Sequence, residues 1–213
     1  MKKIFKYDKY NFALYDTNTS IIYNDEKAKN KILNILPLDD YVFINSNVIL
    51  FNISVKRYLE LNEFEMKKIP YFDLTSILNK KISSLDLASI IYLKIVVSLV
   101  SNDGIVIFDD VLSYLDDDKK SSILNYLKEN QITFINITSD TEDVLLTNYL
   151  IVLASSGVAI EGKTEVVLNE DKILRRLGFN LPFVFDLSLK LKSYGIFDRY
   201  YDNLDGLVNA LWK

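Results

Sequence analysis

Short apolar stretches alternate with amphipathic ones along most of this chain. Residues 20–23 read as a strand. Asp25 and Glu26 then open a helix over 25–36, since acidic side chains favour a helix N-terminus. A second strand is predicted over 41–43, and helices over 54–65 and 73–80. The Leu87–Val100 stretch is apolar nearly all round, which predicts a helix buried on most sides. Lys94 interrupts it, and it is too short to span a bilayer.

Gly104 turns into a continuous apolar strand over 105–108, the kind found inside parallel sheets. Residues 116–118 start an amphipathic helix with Ile123, Leu124 and Leu127 on one face. A strand over 132–137, a short helix over 142–147 and a strand over 149–153 follow. Such alternation implies a parallel α/β sheet. Residues 152–167 read as an antiparallel pair turning at Ser155, Ser156 and Gly157 and again around Gly162.

The strand over 105–108 ends in Asp109 and Asp110, followed by Ser113, Leu115 and Asp116. Four apolar residues ending in two carboxylates form the Walker B pattern. A buried strand delivers the first carboxylate to Mg²⁺ and the second to an attacking water. A buried strand that ends in a polar loop gives the same pattern without any chemistry.

What surrounds this motif resembles the ABC-transporter ATPases. Ser113, Leu115 and Asp116 fall where that family has its D-loop. Leu85, Asp86, Leu87, Ala88 and Ser89 fall at its LSGGQ signature, and Thr138, Ser139 and Asp140 at its Thr-His-Asp. Residues 149–168 resemble the family's closing hairpin. Leu174, Gly178, Pro182, Leu187, Leu191 and Gly195 resemble the C-terminal segment of the energy-coupling-factor and cobalt-importer type. The resemblance covers roughly residues 7–195. It implies an α/β fold of P-loop NTPase type, with a mainly parallel sheet, a helical subdomain over about 45–100 and an antiparallel edge. The implied division is an ATPase-like domain over 1–167 and a C-terminal interaction segment over 168–213.

Against the family pattern the chemistry is degenerate. Lys29 stands at the Walker A lysine, but Asn30 replaces the Ser/Thr that would bind Mg²⁺. The first glycine of the chain is Gly104, so the P-loop has none. Glycines there allow positive φ, so that successive N–H groups can wrap a phosphate. Tyr23, Asp25, Glu26 and Ala28 occupy that turn instead, and left-handed conformations cost such residues roughly 1–2 kcal/mol each. Asp25 and Glu26 also place carboxylates where phosphate would sit, and read as caps of their own helix. Lys29 is then a solvated or ion-paired lysine. Ile44 replaces the Q-loop glutamine, Asp110 the general-base glutamate and Ser139 the histidine. The signature-equivalent segment has lost both glycines and reads as a helix N-terminus capped by Ser83, Ser84 or Asp86. Tyr7 reads either as an adenine-stacking aromatic or as a core tyrosine.

Composition narrows the alternatives further. There is no histidine and no cysteine, which excludes imidazole catalysis, disulfides and thiolate metal sites. The net charge of −4 argues against a nucleic-acid surface. Residues 1–6 are basic, but Asp8, Lys9 and Asn11 break the apolar core a signal peptide needs. The expected protein is cytoplasmic and peripheral to the membrane, touching it only through partners.

Three functions stay open. One is a silent transporter subunit paired with a paralogous ABC ATPase and docked on a transmembrane subunit beside residues 45–80. The second is a weak ATPase or ATP-binding sensor in which Lys29, Asp109 and Asp110 hold Mg-ATP weakly; the nucleotide-binding positions that the resemblance implies are Lys29, Asn30 and Asp109, with Asp109 on the metal. The third is a regulatory protein outside transport. No tightly held cofactor is expected.

Overall fold

The computed structural model describes residues 2–101, 104–201 and 203–212. The outer ends of both implied segments, residues 1 and 213, lie outside the described residues. Two strands, β1 (Lys3–Tyr7) and β2 (Phe12–Tyr15), form an antiparallel pair. The main sheet contains β3 (Thr19–Ile22), β4 (Val42–Asn45), β5 (Val106–Asp109), β6 (Phe134–Thr138), β7 (Tyr149–Ala154) and β8 (Gly157–Lys163). Its order is β4-β5-β6-β3-β7-β8. The first five are parallel, and β8 returns antiparallel along β7.

The central strands are apolar along their length because both faces are covered. On one face, α1 (Glu26–Leu33) and the β1–β2 pair close over Ile21, Ile107, Ile135 and Ile137. On the other lie α3 (Leu87–Val100) and α4 (Asp117–Glu129), packed on Ile44, Val106, Phe108 and Phe134. Between β4 and α3 run α2 (Val55–Leu61) and several 3-10 turns. Asp86 caps α3 by accepting from the Ser89 N–H at 2.7 Å, and Asp116 caps α4 by accepting from Lys119 N–H at 2.9 Å.

The chain continues through α5 (Thr164–Leu168), α6 (Asp171–Arg176), α7 (Phe183–Ser193) and α8 (Leu204–Leu211). Leu174, Phe179, Leu181 and Phe185 are buried against Ile22, Leu150 and Val152 of the sheet. The C-terminal segment therefore shares a core with the α/β body. No helix among the described residues is long and apolar enough to cross a membrane.

Several predicted elements differ in extent. The helix expected over 25–36 stops at Leu33, where the N–H groups of Ile35 and Leu36 both fold back on the Ile32 carbonyl just before Pro37. The helix over 54–65 stops at Leu61, with Glu63 in a left-handed conformation at φ 53°. The helix over 73–80 is replaced by a single 3-10 turn, Thr75–Ile77. Asp73 has φ 49°, and the carbonyls of Leu78 and Lys80 accept from Lys56 and Val55 across the fold. The short helix over 142–147 is also 3-10. No turn forms at Gly162, which stays in β8 opposite Leu150, and residues 164–168 leave the sheet as α5 rather than as strand.

Candidate functional site

The carboxyl ends of β3, β5 and β6 meet around one lysine. In the parallel ladder β3 lies beside β6 and β6 beside β5, so the residues after Ile22, Asp109 and Thr138 converge. Asp25 is the N-cap of α1. Its side chain accepts from the Lys27 N–H at 2.9 Å, and its carbonyl accepts from Ala28 and Lys29 at 2.9 and 3.2 Å. The turn between β3 and α1 is thereby pulled into helix. No residue of that turn has positive φ.

One turn into α1, Lys29 points back at the sheet. Its ammonium lies 3.1 Å from Asp110 Oδ2, 3.4 Å from Asp109 Oδ1 and 3.3 Å from Glu26 Oε2. The side chains of Lys29 and Asp109 are each only 13% exposed. Tyr23, itself buried, lays its ring 5.0 Å from the same ammonium. Its hydroxyl donates to Asp110 Oδ2.

Asp110 sits at φ 51°, a left-handed conformation uncommon for a side-chain-bearing residue. Two contacts hold it there: its N–H donates to the Ile137 carbonyl at 2.9 Å, and its Oδ1 accepts from the Ser139 N–H at 3.0 Å. Asp109 Oδ1 has no hydrogen bond beyond its ion pair.

The titration of these groups follows from their surroundings. Burial alone would pull the Lys29 ammonium down. The hydrogen bond to Asp110 and the charges of Asp109 and Asp110 outweigh it and hold the ammonium above the ordinary lysine range. Burial, then the Asp110 contact, pushes the Tyr23 phenol well up. Burial also raises Asp109, against the pull of Lys29. Lys29 is a cation and Tyr23 a neutral donor at any physiological pH.

The structure thus gathers Lys29, Asp109, Asp110 and Ser139, but Ser139 contributes its backbone N–H rather than its hydroxyl. Asn30 is exposed on α1, and Ile44 is wholly buried in the core. Of the signature-equivalent residues, Leu85, Ala88 and Ser89 are half-buried, Asp86 and Leu87 exposed. Ser113 is exposed and Leu115 buried in the turn before the Asp116 cap. Tyr7 is not a core tyrosine: it is half-buried and packs against Tyr10, with ring centres 5.5 Å apart and ring planes tilted by 40°.

Sequence reasoning registered Tyr23 only as a bulky residue in a turn and missed its contact with Asp110, 87 residues away. It also missed Lys120, which donates to the buried Asp143 at 2.7 Å. Burial raises the Asp143 carboxyl, with Lys120 acting against it. Neither pairing leaves a signal in local sequence.

No family model matches the chain. Over 114 residues it is 32% identical to the energy-coupling factor transporter ATP-binding protein EcfA1 of Lactobacillus delbrueckii subsp. bulgaricus, covering 51% of this chain and 40% of that protein. Among solved structures it superposes on cbiO1 of Clostridium perfringens, described as part of the ABC transporter complex cbiONQ. The TM-score is 0.60 at 18% identity, over 83% of this chain and 90% of that one. A structure of an ATP-binding subunit of an ABC transporter gives a TM-score of 0.64 at 11% identity, over 79% and 92%. The chain has the fold of an ABC-transporter ATPase. Within that fold β3, α1 and β5 stand where the sequence resemblance puts Walker A and Walker B. The match to the curated relative spans less than half of that relative's length.

Proposed function

We propose that this chain is a catalytically silent ATPase-fold subunit of an energy-coupling-factor-like transporter. It works beside a competent paralogue, on the cytoplasmic side of a transmembrane subunit. The observation that carries this reading is the state of Lys29. Its ammonium is enclosed by three carboxylates within 3.4 Å. The N–H groups of Ala28 and Lys29, which a phosphate would need, are spent on the Asp25 carbonyl. A triphosphate brought here would meet the side chains of Asp25, Glu26, Asp109 and Asp110. The residues present do not fit Mg-ATP.

The persistence of Lys29, Asp109 and Asp110 side by side favours a second reading, a slow ATPase or nucleotide sensor in which phosphate draws Lys29 off its carboxylates. Calorimetry with Mg-ATP on the isolated chain decides between them. The silent reading expects no affinity tighter than roughly millimolar, about −4 kcal/mol. Micromolar binding that is lost in Lys29→Ala would overturn it.

A further inference from the structure

The junction between α6 and α7 is tied to both loops that build the Lys29 site. Helix α6 ends in a left-handed turn at Gly178, with φ 85°. The N–H groups of Gly178 and Phe179 return to the carbonyls of Arg175 and Leu174 at 3.1 and 3.0 Å, which is the Schellman ending. That motif leaves the Leu177 carbonyl to find another donor. The donor is the side-chain amide of Asn24, 153 residues away, in the turn between β3 and α1. At the other side of the junction α7 begins behind Pro182, whose side chain cannot cap it. The Phe183 N–H donates instead to Glu142, at 2.7 Å, from the loop after β6. A carboxylate suits the positive end of a helix.

Each loop thus completes one helix end of the C-terminal segment. Asn24 stands between Tyr23 and the Asp25 cap. Glu142 follows Ser139, whose N–H holds Asp110. Beneath the two polar ties, Leu174, Phe179 and Leu181 are buried with Ile22 and Val144, at the roots of the same loops. The fit is close at Gly178: a Cβ there would stand 2.9 Å from the Asn24 amide nitrogen, on a backbone that favours glycine.

We propose that residues 174–183 are a clasp that keeps the Lys29 site closed. The ties to Asn24 and Glu142 hold the loops after β3 and β6 where Lys29 stays within reach of Asp109 and Asp110. Hydrogen bonds weaken steeply with distance and angle, whereas apolar burial has no direction. A small shift of the junction therefore breaks both ties and leaves the buried residues in the core. Lys29 is then released toward solvent, so movement of the C-terminal segment is read at the site. The clasp rests on the proposed function in one respect, that the closed Lys29 cluster is the resting state. Nucleotide affinity does not enter, so the calorimetry and the clasp can fail separately.

The test is acetylation of lysine amines in the full-length, nucleotide-free chain, followed residue by residue by mass spectrometry, together with amide hydrogen exchange over 23–29 and 139–146. Asn24→Ala removes one tie from the loop side, and Gly178→Ala disturbs the same tie from the C-terminal side. Each should speed Lys29 acetylation about fivefold, the weight of one net hydrogen bond. The double variant should be no faster than the faster single one, because both act through one contact. Amide exchange over 139–146 should rise in Gly178→Ala. Ser188→Ala loosens α7 elsewhere, by removing the acceptor of the Tyr201 N–H, and should leave Lys29 unchanged. Asn24 is exposed, so its variant tests the tie even if Gly178→Ala does not fold. An unchanged Lys29 rate in Asn24→Ala would overturn the clasp. So would additive effects in the double variant, or equal acceleration in Ser188→Ala, which would mark general loosening.

Discussion

A lysine kept for a nucleotide is dispensable when no nucleotide is present; a lysine that neutralises its own protein is not. Lys29→Met separates the two. It removes an ammonium that lies 3.1–3.4 Å from three carboxylates. At such separations each charge pair is worth about 5 kcal/mol at an effective dielectric near 20, before desolvation is subtracted. Removing one partner of a buried pair usually costs about 3–5 kcal/mol. Glu26 is 66% exposed and contributes little, and Asp110, at 24%, can be partly rehydrated. The expected loss is about 2–4 kcal/mol, to which the Tyr23 ring adds up to about 1 kcal/mol. For a chain of this size that is about 5–10 °C in Tm.

The assay is calorimetric unfolding in nucleotide-free buffer, with Asp110→Asn and the double variant completing a cycle. The cycle should show a coupling of about 1–2 kcal/mol between positions 29 and 110. Because the Lys29 pKa is raised, its contribution is fully present below the ordinary lysine range and is lost only as pH climbs through the higher folded value. The difference between variant and parent should therefore be constant from pH 7 to 9. A Tm for Lys29→Met within about 1 °C of the parent, or above it, would refute the reasoning.

Two further predictions concern parts distant from Lys29. Burial raises the Glu161 carboxyl, Lys3 acts against it, and Glu161 Oε2 has no hydrogen-bond partner. A carboxylate with a raised folded pKa loses stability for the protein as pH rises from the ordinary carboxylate range through the higher value. Glu161→Gln should thus unfold at a higher temperature than the parent at pH 7, with the gap closing toward pH 4; a lower Tm at pH 7 would contradict this. Deletion of 171–213 removes Leu174, Phe179, Leu181 and Phe185 from the core, about 1.5–3 kcal/mol each, comparable with the ~5–15 kcal/mol that holds a whole domain. That truncation should lose cooperative unfolding in circular dichroism, whereas deletion of 203–213, which takes away α8 alone, should retain it. A cooperative melt from the longer deletion would show that the segment is a separate layer.

The sheet was legible from sequence because its strands are covered on both faces, and such strands read as unbroken apolar runs, as at 105–108. Helix α3 was legible for the same reason. The helix expected over 73–80 failed because the carbonyls of Leu78 and Lys80 are claimed by backbone donors from α2, a long-range competition that no local pattern encodes. In the site, the placement of Lys29 beside Asp109 followed from aligned motifs, and the cap by Asp25 from residue type. The contact of Tyr23 with Asp110 did not, since it depends on two loops folding toward each other across the end of the sheet.

The Tyr23–Asp110–Lys29 cluster resists conversion into a phosphate-binding turn one residue at a time. Tyr23→Gly would leave a void under α1 and strip Asp110 of a donor while its left-handed backbone stays in place. Ala28→Gly would weaken α1 yet leave the N–H groups on the Asp25 carbonyl. Asp25→Gly would remove the cap but leave Lys29 held by the same carboxylates. Each step backward costs stability before any of them yields a ligand, because the side chains now depend on one another. On the proposed reading, such a scaffold is kept for its surfaces alone.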